Sequence, residues 1–574
     1  MPELYPAYFV LLGLIVYAIA WLYARWYDKK VWEPNPKVTT PAHMYMDGIE
    51  FFPASKFVLF GFQYKGIAAL GPILGPFIAL SFGWLPALIW ILLGNLFIGW
   101  IHDYGALFTS VRREGKTMGP LTYELISPRA RSCLMGYLLF YLMIIGATFM
   151  YLSALFFWKL PSSVTPTIFT IIAGIVFGVL LYRFKVNIWA STIIGIIIMV
   201  VGLWLGITFP IIYPGAEPHL FWMIIFGIIV FIGAVTPIIW YTQPTNYMAF
   251  YPCTFGVIII IIGALLSPIW GITIQQPAFV TAFTYDWAKA KGPGPIWPIL
   301  MVSIACGAIS GWHSLLGTSG SARQLDVETD ALPVGAGAML MEGLLALSAL
   351  SAYIVIPGVV KPPHWLRFAA DGAPMLTANL FGGAPAIPAL QAFFGAFLEL
   401  YAITVTFLLW RFWRLALAEV AAPSPRLRAT IGNVYIGTFI GILLGIIFAY
   451  TGAWLNLWLL FGGSNQLMAG LALLLVSIHL AHVKKPTVYN LAPSLFMIIT
   501  CQVALAWQMI DFFTAVAVGI TKVGMPLAGY PAVATGFDLT FGIIAIILFI
   551  LGLIVAYDGF KALAKVRKAS ASST

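Results

Sequence analysis

Six ionisable side chains lie in otherwise apolar stretches of the sequence, and they are Lys65, His102, Asp103, His313, Glu342 and Glu399. A charged group within a membrane is costly, so each of these residues is a candidate for function by default. Carboxyl groups in such surroundings bind a proton more readily than in water, which suits a group that loads and unloads protons. We therefore predict that Glu399 or Glu342 carries a proton, with Asp103 as the next candidate.

Lys65 is the one cation that falls inside an apolar stretch. If its side chain points into a cavity, it supplies a fixed positive charge for a substrate carboxylate. The alternative is that the side chain extends to the nearby membrane surface, because the apolar stretch begins at about residue 58. Both interpretations stay open at the level of the sequence.

Two Gly-Pro pairs lie four residues apart, at Gly71-Pro72 and Gly75-Pro76. Each proline removes a backbone donor, so we predict an unwound segment at 66–76. Irregular backbone within a membrane is tolerated where it is packed or lines a cavity. Because the N-terminus of a half-helix carries partial positive charge, freed N–H groups in this segment could bind an anionic substrate, which makes Gly71, Pro72, Gly75 and Pro76 candidate substrate-binding residues. The alternative is an ordinary proline kink, which is common in membrane helices.

A second irregular stretch spans 235–247 and contains Pro237, Gln243 and Pro244. Paired interruptions in two halves of a chain are typical of a transporter's binding site. We therefore predict that 235–247 is also unwound, that it approaches 66–76 near the middle of the membrane, and that Gln243 contacts the substrate.

A third irregular stretch spans 306–321, where small and hydroxyl residues surround His313. Hydroxyl groups can coordinate a cation or donate to a carboxylate, but they also allow helices to pack closely in membranes. From this stretch we predict four substrate-binding residues, which are His313, Ser314, Thr318 and Ser319.

The composition identifies the class of protein that must hold these residues. The chain has 574 residues, of which 61 % are hydrophobic and only 9 % are charged, so soluble and disordered chains are excluded. Long unbroken apolar runs favour a polytopic α-helical membrane protein over a membrane β-barrel. The four cysteines show no CxxC spacing, and no P-loop, HExxH, GxSxG or CxxCH motif is present. We therefore expect no enzyme activity, no metal and no cofactor.

A helix needs about 20 apolar residues to cross ~30 Å of hydrocarbon. This criterion predicts fifteen spans, at 7–27, 58–80, 84–110, 132–158, 165–183, 188–208, 219–241, 252–273, 297–320, 334–358, 388–418, 432–450, 456–482, 488–513 and 540–565. Alternate loops then hold 23 and six Lys and Arg residues, which predicts an outer N-terminus and a cytoplasmic C-terminus. The same asymmetry explains the net charge of +10 without a nucleic-acid partner.

The predicted spans divide into four parts. Residues 1–57 form an N-terminal peripheral helix and a cytoplasmic linker, and 432–574 form accessory helices. Between them, 58–208 and 219–418 hold five spans each. An odd number of spans reverses the sense of the second half, so we predict a 5+5 inverted repeat.

Several stretches, in order through nearly the whole chain, resemble the carbon starvation protein A family of membrane transporters. They are 47–61, 71–76, 83–92, 102–116, 304–313, 337–342 and 461–467. Family members usually carry a His-His pair where this chain has Phe62-Gln63, and a small residue at the position of Lys65. The resemblance implies a fold of the amino acid–polyamine–organocation superfamily, with a 5+5 inverted repeat. It implies a site that includes Gly71-Pro72, Gly75-Pro76, His313 with the hydroxyl groups after it, and Glu342.

The resemblance also implies a function, since the family is associated with uptake of peptides and of pyruvate, the latter with a proton. We expect a secondary active transporter in the cell membrane that imports a small carboxylate-bearing solute, with the lipid bilayer as its surroundings. Coupling to sodium, a non-transporting sensor and a channel are the alternatives. The sequence leaves open whether the substrate is a peptide or a 2-oxo acid such as pyruvate.

Overall fold

The structure of the chain is a computed structural model that describes residues 3–358, 364–524 and 527–571. The chain is helical almost throughout, as the sequence predicts. Within the described ranges, the one sheet is an antiparallel hairpin of β1 (Phe283–Asp286) and β2 (Lys291–Pro295).

Nineteen α-helices of eight residues or more lie in these ranges. The first ten are α1 Pro6–Tyr27, α2 Lys56–Ile67, α3 Gly71–Ala79, α4 Trp84–Gly94, α5 Trp100–Val111, α6 Met118–Leu125, α7 Pro128–Lys159, α8 Val164–Gly178, α9 Ile188–Thr208 and α10 Pro218–Val235. The others are α11 Thr242–Leu265, α12 Ile296–Ser303, α13 Gly311–Ser319, α14 Ala338–Ile354, α15 Ile387–Ala421, α16 Val434–Tyr450, α17 Trp454–His482, α18 Val488–Ala517 and α19 Pro531–Ala571.

Thirteen helical segments in the described part of the chain are long and apolar enough to cross a membrane, and one of them, Lys56–Ala79, is interrupted at residues 68–70. They match thirteen of the fifteen predicted spans. Of the other two, 297–320 is divided into α12 and α13, and 432–450 corresponds to α16, which has 17 residues. The predicted count of fifteen is therefore not confirmed, although each predicted span has helical structure at its position.

Four of these helices, α2, α7, α9 and α16, begin after a residue whose side chain caps free N–H groups. Ser127 Oγ accepts a hydrogen bond from the N–H of Ala130 at 3.0 Å, and Pro128 occupies the first position of α7. Asn187 Oδ1 accepts from the N–H of Trp189 at 2.8 Å at the start of α9. These are the residue types that favour helix N-termini.

The interruption predicted at 66–76 is present, but it occupies only residues 68–70. α2 ends at Ile67 and α3 begins at Gly71, so the prediction that Gly71–Pro76 is unwound is wrong. Pro72 lies in the first turn of α3, where an N–H would have no partner in the helix. Pro76 removes one further hydrogen bond from a helix that continues only to Ala79.

The prediction of a break within a span at 235–247 is also wrong. α10 ends at Val235, and Thr236 is extended, as expected for a residue that precedes a proline. After a short 3-10 turn, α11 begins at Thr242, with Pro244 in its first turn. The stretch is thus a connection between two spans, followed by regular helix.

The second broken span is instead the predicted span 297–320. Its two halves are α12 and α13, and residues 304–310 between them are not helical. The two broken spans are the second and ninth in order and lie seven spans apart. The predicted 5+5 repeat places corresponding spans five apart, so the second broken span is not the one that this repeat pairs with the first.

The two breaks contact one another. A Cβ atom added at Gly75 would lie 2.7 Å from the Cα atom of Ile304, and one at Gly71 would lie 2.4 Å from Cys306 Sγ. Both glycines therefore allow a close approach that a larger residue would prevent. Across the crossing, Trp312 Nε1 donates to the carbonyl of Gly66 at 2.6 Å.

A strap at the end of the N-terminal linker, residues 50–55, joins the start of α2 to the chain that follows α13. The N–H groups of Phe52 and Ala54 donate to the carbonyls of Arg323 and Gln324, at 3.3 and 3.0 Å. Glu50 in this strap also pairs with Arg411 of α15. These bonds hold the first turn of α2 beside the last turn of α13.

Candidate functional site

His313 lies between two carboxylates at the crossing of the broken spans. Its Nδ1 atom is 2.8 Å from Asp103 Oδ2, and its Nε2 atom is 3.1 Å from Glu342 Oε2. The other carboxylate oxygen of Asp103, Oδ1, lies 2.8 Å from His102 Nδ1. All four side chains are buried, and we name His102, Asp103, His313 and Glu342 the central cluster. The structure thus brings together three of the predicted site residues.

The contacts of the central cluster leave room for a proton between His313 and Glu342. The hydrogen bond to an ionised Asp103 places an N–H at Nδ1 of His313, which leaves Nε2 facing Glu342. Neither oxygen of Glu342 makes a well-aligned hydrogen bond with a described residue. A proton can therefore reside on Glu342 or on His313 Nε2 without disturbing the contact with Asp103.

The helices that carry Asp103 and Glu342 each follow a π-helical turn. α5 is preceded by a π-helical turn at Asn95–Gly99, and α14 is preceded by another at Leu332–Gly337. π-turns change the direction of the side chains that follow them, and they occur often at functional sites. They are a local reason why Asp103 and Glu342 face His313.

Three amide side chains satisfy the backbone of the second break. Asn465 accepts from the N–H of Trp312 at 2.9 Å and donates to the carbonyl of Ala305 at 2.6 Å. Gln466 and Asn95 donate to further carbonyls of 304–310. The sequence analysis did not assign these amides to the site, although the pair Asn465-Gln466 within a long apolar span was a usable signal.

The side chain of Lys65 points into the protein and does not extend to the membrane surface. Its side chain is fully buried, and Nζ lies 3.4 Å from the centre of the Tyr401 ring, beside the thiol of Cys253. Nζ makes no hydrogen bond with any described residue. A contact with an aromatic face is worth up to ~2 kcal/mol, less than the several kcal/mol needed to bury an ammonium group. Glu342 is near enough to compensate part of the charge.

The backbone next to Lys65 is also unsatisfied. In the described part of the chain, the N–H groups of Ala69, Leu70 and Gly71 have no hydrogen-bond acceptor. They lie at the first break and at the N-terminal end of α3. Free N–H groups at the start of a helix attract anionic groups.

Two of the predicted residues lie elsewhere. Glu399 is buried on α15 and approaches Ser153 of α7, with no electrostatic contact to the central cluster. It is two residues from Tyr401, and at 100° per residue it faces away from Lys65. Gln243 belongs to another network, in which it accepts from Tyr182 OH at 2.7 Å and donates to Gln324 at 2.6 Å.

The predicted hydroxyl groups follow His313 along α13 but bond to their own helix. Ser314 Oγ donates to the carbonyl of Gly311, Thr318 Oγ1 to that of Ser314, and Ser319 Oγ to that of Leu315. Thr318 and Ser319 line a cavity of about 200 Å³ together with Arg323 and Glu419. This cavity lies towards the strap and apart from the central cluster.

A metal ion is a further possibility at the central cluster. Cys306, His313 and Glu342 offer ligand atoms that lie within 4.8 Å of one another. A tetrahedral zinc ion needs its ligand atoms roughly 3.3–3.8 Å apart. His313 Nε2 and Glu342 Oε2 lie 3.1 Å apart, and we assign no metal to the group.

The comparisons with known proteins agree with the family that the sequence resembles. The sequence model of "Carbon starvation protein CstA" matches residues 6–362 and 360–504. "Peptide transporter CstA" of Bacillus subtilis is 30 % identical over 68 % of this chain and 64 % of its own length. "Pyruvate/proton symporter BtsT" of Escherichia coli is 29 % identical over 65 % of this chain and 54 % of its own length.

Among solved structures, the chain is similar to MhsT in complex with L-phenylalanine, with 16 % identity and a TM-score of 0.44. That similarity covers 81 % of this chain and 99 % of the other, and a score at this level does not establish a shared fold. The curated relatives are longer, and this chain spans between about half and two thirds of their length. The family match covers most of the chain, and the chain belongs to the carbon starvation protein CstA family.

Proposed function

We propose that this protein is a secondary active transporter that imports a small carboxylate-bearing solute together with a proton. The observation that carries the proposal is the crossing of two broken spans beside the buried central cluster. Broken spans of opposite sense are typical of transporter binding sites. The names of the relatives, a peptide transporter and a pyruvate/proton symporter, support the same activity.

The proton is carried in this proposal by Glu342, with His313 as its partner. Asp103 positions the imidazole, and the ring can accept the proton when Glu342 releases it. Sodium coupling is the alternative, but Na⁺ prefers a shell of oxygen ligands, whereas the nearest partner of Glu342 is an imidazole nitrogen. Glu399 stays a second candidate carrier on the other side of α15.

The carboxylate of the substrate binds at Lys65 and the first break, next to Gly71, Pro72, Gly75 and Pro76. The ammonium group and the acidic Glu342 place opposite charges near the same crossing. A free peptide carries both a carboxylate and an ammonium group, so it can pair with both residues. Pyruvate has only the carboxylate, and we therefore favour a peptide, with pyruvate as the alternative.

The remaining assignments complete the proposal. Thr318 and Ser319 contact the substrate on its way out through the cavity near Arg323, and Ser314 and Gln243 contact it only after a rearrangement. The N-terminus lies outside the cell membrane, the C-terminus lies in the cytoplasm, and the chain is not an enzyme. We keep the proposal of two inverted repeats. The break at 304–310 favours a second repeat that starts near Ile296 rather than at residue 219.

Uptake into proteoliposomes tests the proposal. Dipeptides, tripeptides, pyruvate and lactate would be offered in turn, with an imposed proton gradient, an imposed sodium gradient or neither. We expect accumulation of a peptide that requires the proton gradient. Equal uptake with and without any gradient would indicate a channel, and no uptake of any solute would favour a sensor.

A further inference from the structure

A large groove lies at one end of the molecule, between the start of α7, the end of α17 and the last turns of α19. Its volume is about 1260 Å³. Its lining includes apolar side chains, among them Leu125, Ile126 and Val566, and lysines of α19. The groove is remote from the central cluster, and the proposed function does not use it.

Three lysines of the groove lie on one face of α19. Lys561, Lys565 and Lys568 are separated by four and three residues, which places them above one another on a helix. All three are exposed, and none forms an ion pair with a residue in the described part of the chain. The stripe therefore presents three lysines without a salt bridge to the groove, of which Lys561 is near enough to Asp558 for a weaker electrostatic interaction.

The acids of the groove form their salt bridges with residues other than these lysines. Asp558 pairs with Arg129 and accepts from Ser127 Oγ at 3.1 Å. Glu124 pairs with Arg113 and with Lys116, the latter at 3.0 Å. With both acids already paired, the groove attracts anions.

The groove also lies at the level of lipid headgroups. α19 has 41 residues and is about 60 Å long, about twice the ~30 Å of a bilayer core, so one end must project from the hydrocarbon. The pair of Arg129 and Asp558 holds that end beside the first turn of α7. The lysines beyond Asp558 are then at the membrane surface, with apolar side chains beside them.

We propose that this groove binds one anionic diacyl phospholipid of the surrounding leaflet. The lipid phosphate contacts Lys561, Lys565 and Lys568, and an acyl chain lies along Leu125, Ile126 and Val566. Clusters of basic residues directly after a membrane helix attract anionic lipids, and each lysine strengthens binding by roughly fivefold. Because the lipid touches both α19 and the start of α7, its binding fixes the last helix to the rest of the bundle.

Lipid binding to the full-length protein tests the proposal. Purified protein in detergent would be titrated with phosphatidylglycerol, phosphatidylcholine or inorganic phosphate, with native mass spectrometry and the melting temperature as readouts. We expect phosphatidylglycerol to bind at least tenfold more tightly than phosphatidylcholine and to raise the melting temperature. Inorganic phosphate should not reproduce the rise, because it cannot use the apolar side chains of the groove.

The variant K561Q/K565Q/K568Q should lose about 100-fold in affinity for phosphatidylglycerol, while its melting temperature in phosphatidylcholine stays that of the parent. The control K29Q/K30Q/K37Q removes three exposed lysines from another part of the surface and should bind like the parent. Equal affinity of the first variant and the parent, or an equal loss in both variants, would overturn the proposal. So would inorganic phosphate that binds as tightly as the lipid.

Discussion

His313 and Asp103 are joined by a 2.8 Å contact between Nδ1 and Oδ2, deep within the protein and where the two broken spans cross. The contact fixes which edge of the imidazole ring faces Glu342. A buried carboxylate that orients a histidine is a positioning device found at many proton-handling sites. The exchange of a proton between Glu342 and His313 therefore depends on Asp103, which Glu342 does not contact.

Glu342→Gln should abolish accumulation against a gradient while substrate exchange continues. The amide keeps the shape of the side chain but cannot carry a proton, so transport loses its coupling. Counterflow and gradient-driven uptake in the same proteoliposomes would separate the two activities. Glu399→Gln is the matched control, since Glu399 is equally buried but outside the central cluster, and it should accumulate substrate normally. The reverse pattern would assign the proton to Glu399.

Lys65→Met should weaken substrate binding strongly. Removing one partner of a desolvated charge pair costs ~2–5 kcal/mol, or roughly 30- to 4000-fold in affinity. Lys56→Met is the control, because Lys56 is exposed at the start of the same helix. Affinity would be measured by isothermal titration with the transported solute. A change within threefold for Lys65→Met, in protein that is folded, would exclude a substrate role for this residue.

Asn465→Leu should destabilise the protein and stop transport. The leucine has a similar size but leaves the carbonyl of Ala305 and the N–H of Trp312 without partners. Each buried group left unsatisfied costs about 1–3 kcal/mol. Gln502→Leu, which loses one bond to the carbonyl of Phe549, should lower the melting temperature by much less. Similar melting temperatures for the two variants would contradict the supporting role of Asn465.

Gly75→Ala should separate the two broken spans. The added Cβ atom would meet the Cα atom of Ile304 at 2.7 Å, and backbone cannot move aside as a side chain can. We expect a loss of about 1–3 kcal/mol in stability and a lower rate of transport. At Gly136 the nearest atom to an added Cβ is 3.6 Å away, so Gly136→Ala should keep the stability of the parent. Thermal unfolding of both variants provides the measurement.

The spans could be predicted from the sequence because the length of an apolar run is a local property. The exact extent of the breaks could not, because the cost of a proline depends on where the helix begins. Pro72 and Pro244 both lie in first turns, where the lost N–H has no partner in the helix. The sequence analysis interpreted both as breaks.

Individual residues of the site were predicted from the sequence, but the contacts between them were not. His313, Glu342 and Asp103 were identified because ionisable groups in apolar spans are conspicuous, yet their mutual contact depends on three different helices. Glu399 has the same sequence signal but lies on the opposite face of α15 from Tyr401. The side on which a residue of a fully buried helix lies cannot be predicted when every face of the helix is apolar.

The strap has a mechanical consequence. It ties α2 to the end of α13, and Trp312 ties the other ends of the same two half-helices at Gly66. On the far side of the crossing, Gly75 packs α3 directly on the end of α12. Among the described residues, the four half-helices thus form two stiff pairs, each drawn from both broken spans, and the chain passes from one pair to the other at 68–70 and at 304–310. Any rocking of one pair against the other bends these two segments, and it therefore pulls on the bonds by which Asn465 and Gln466 hold 304–310.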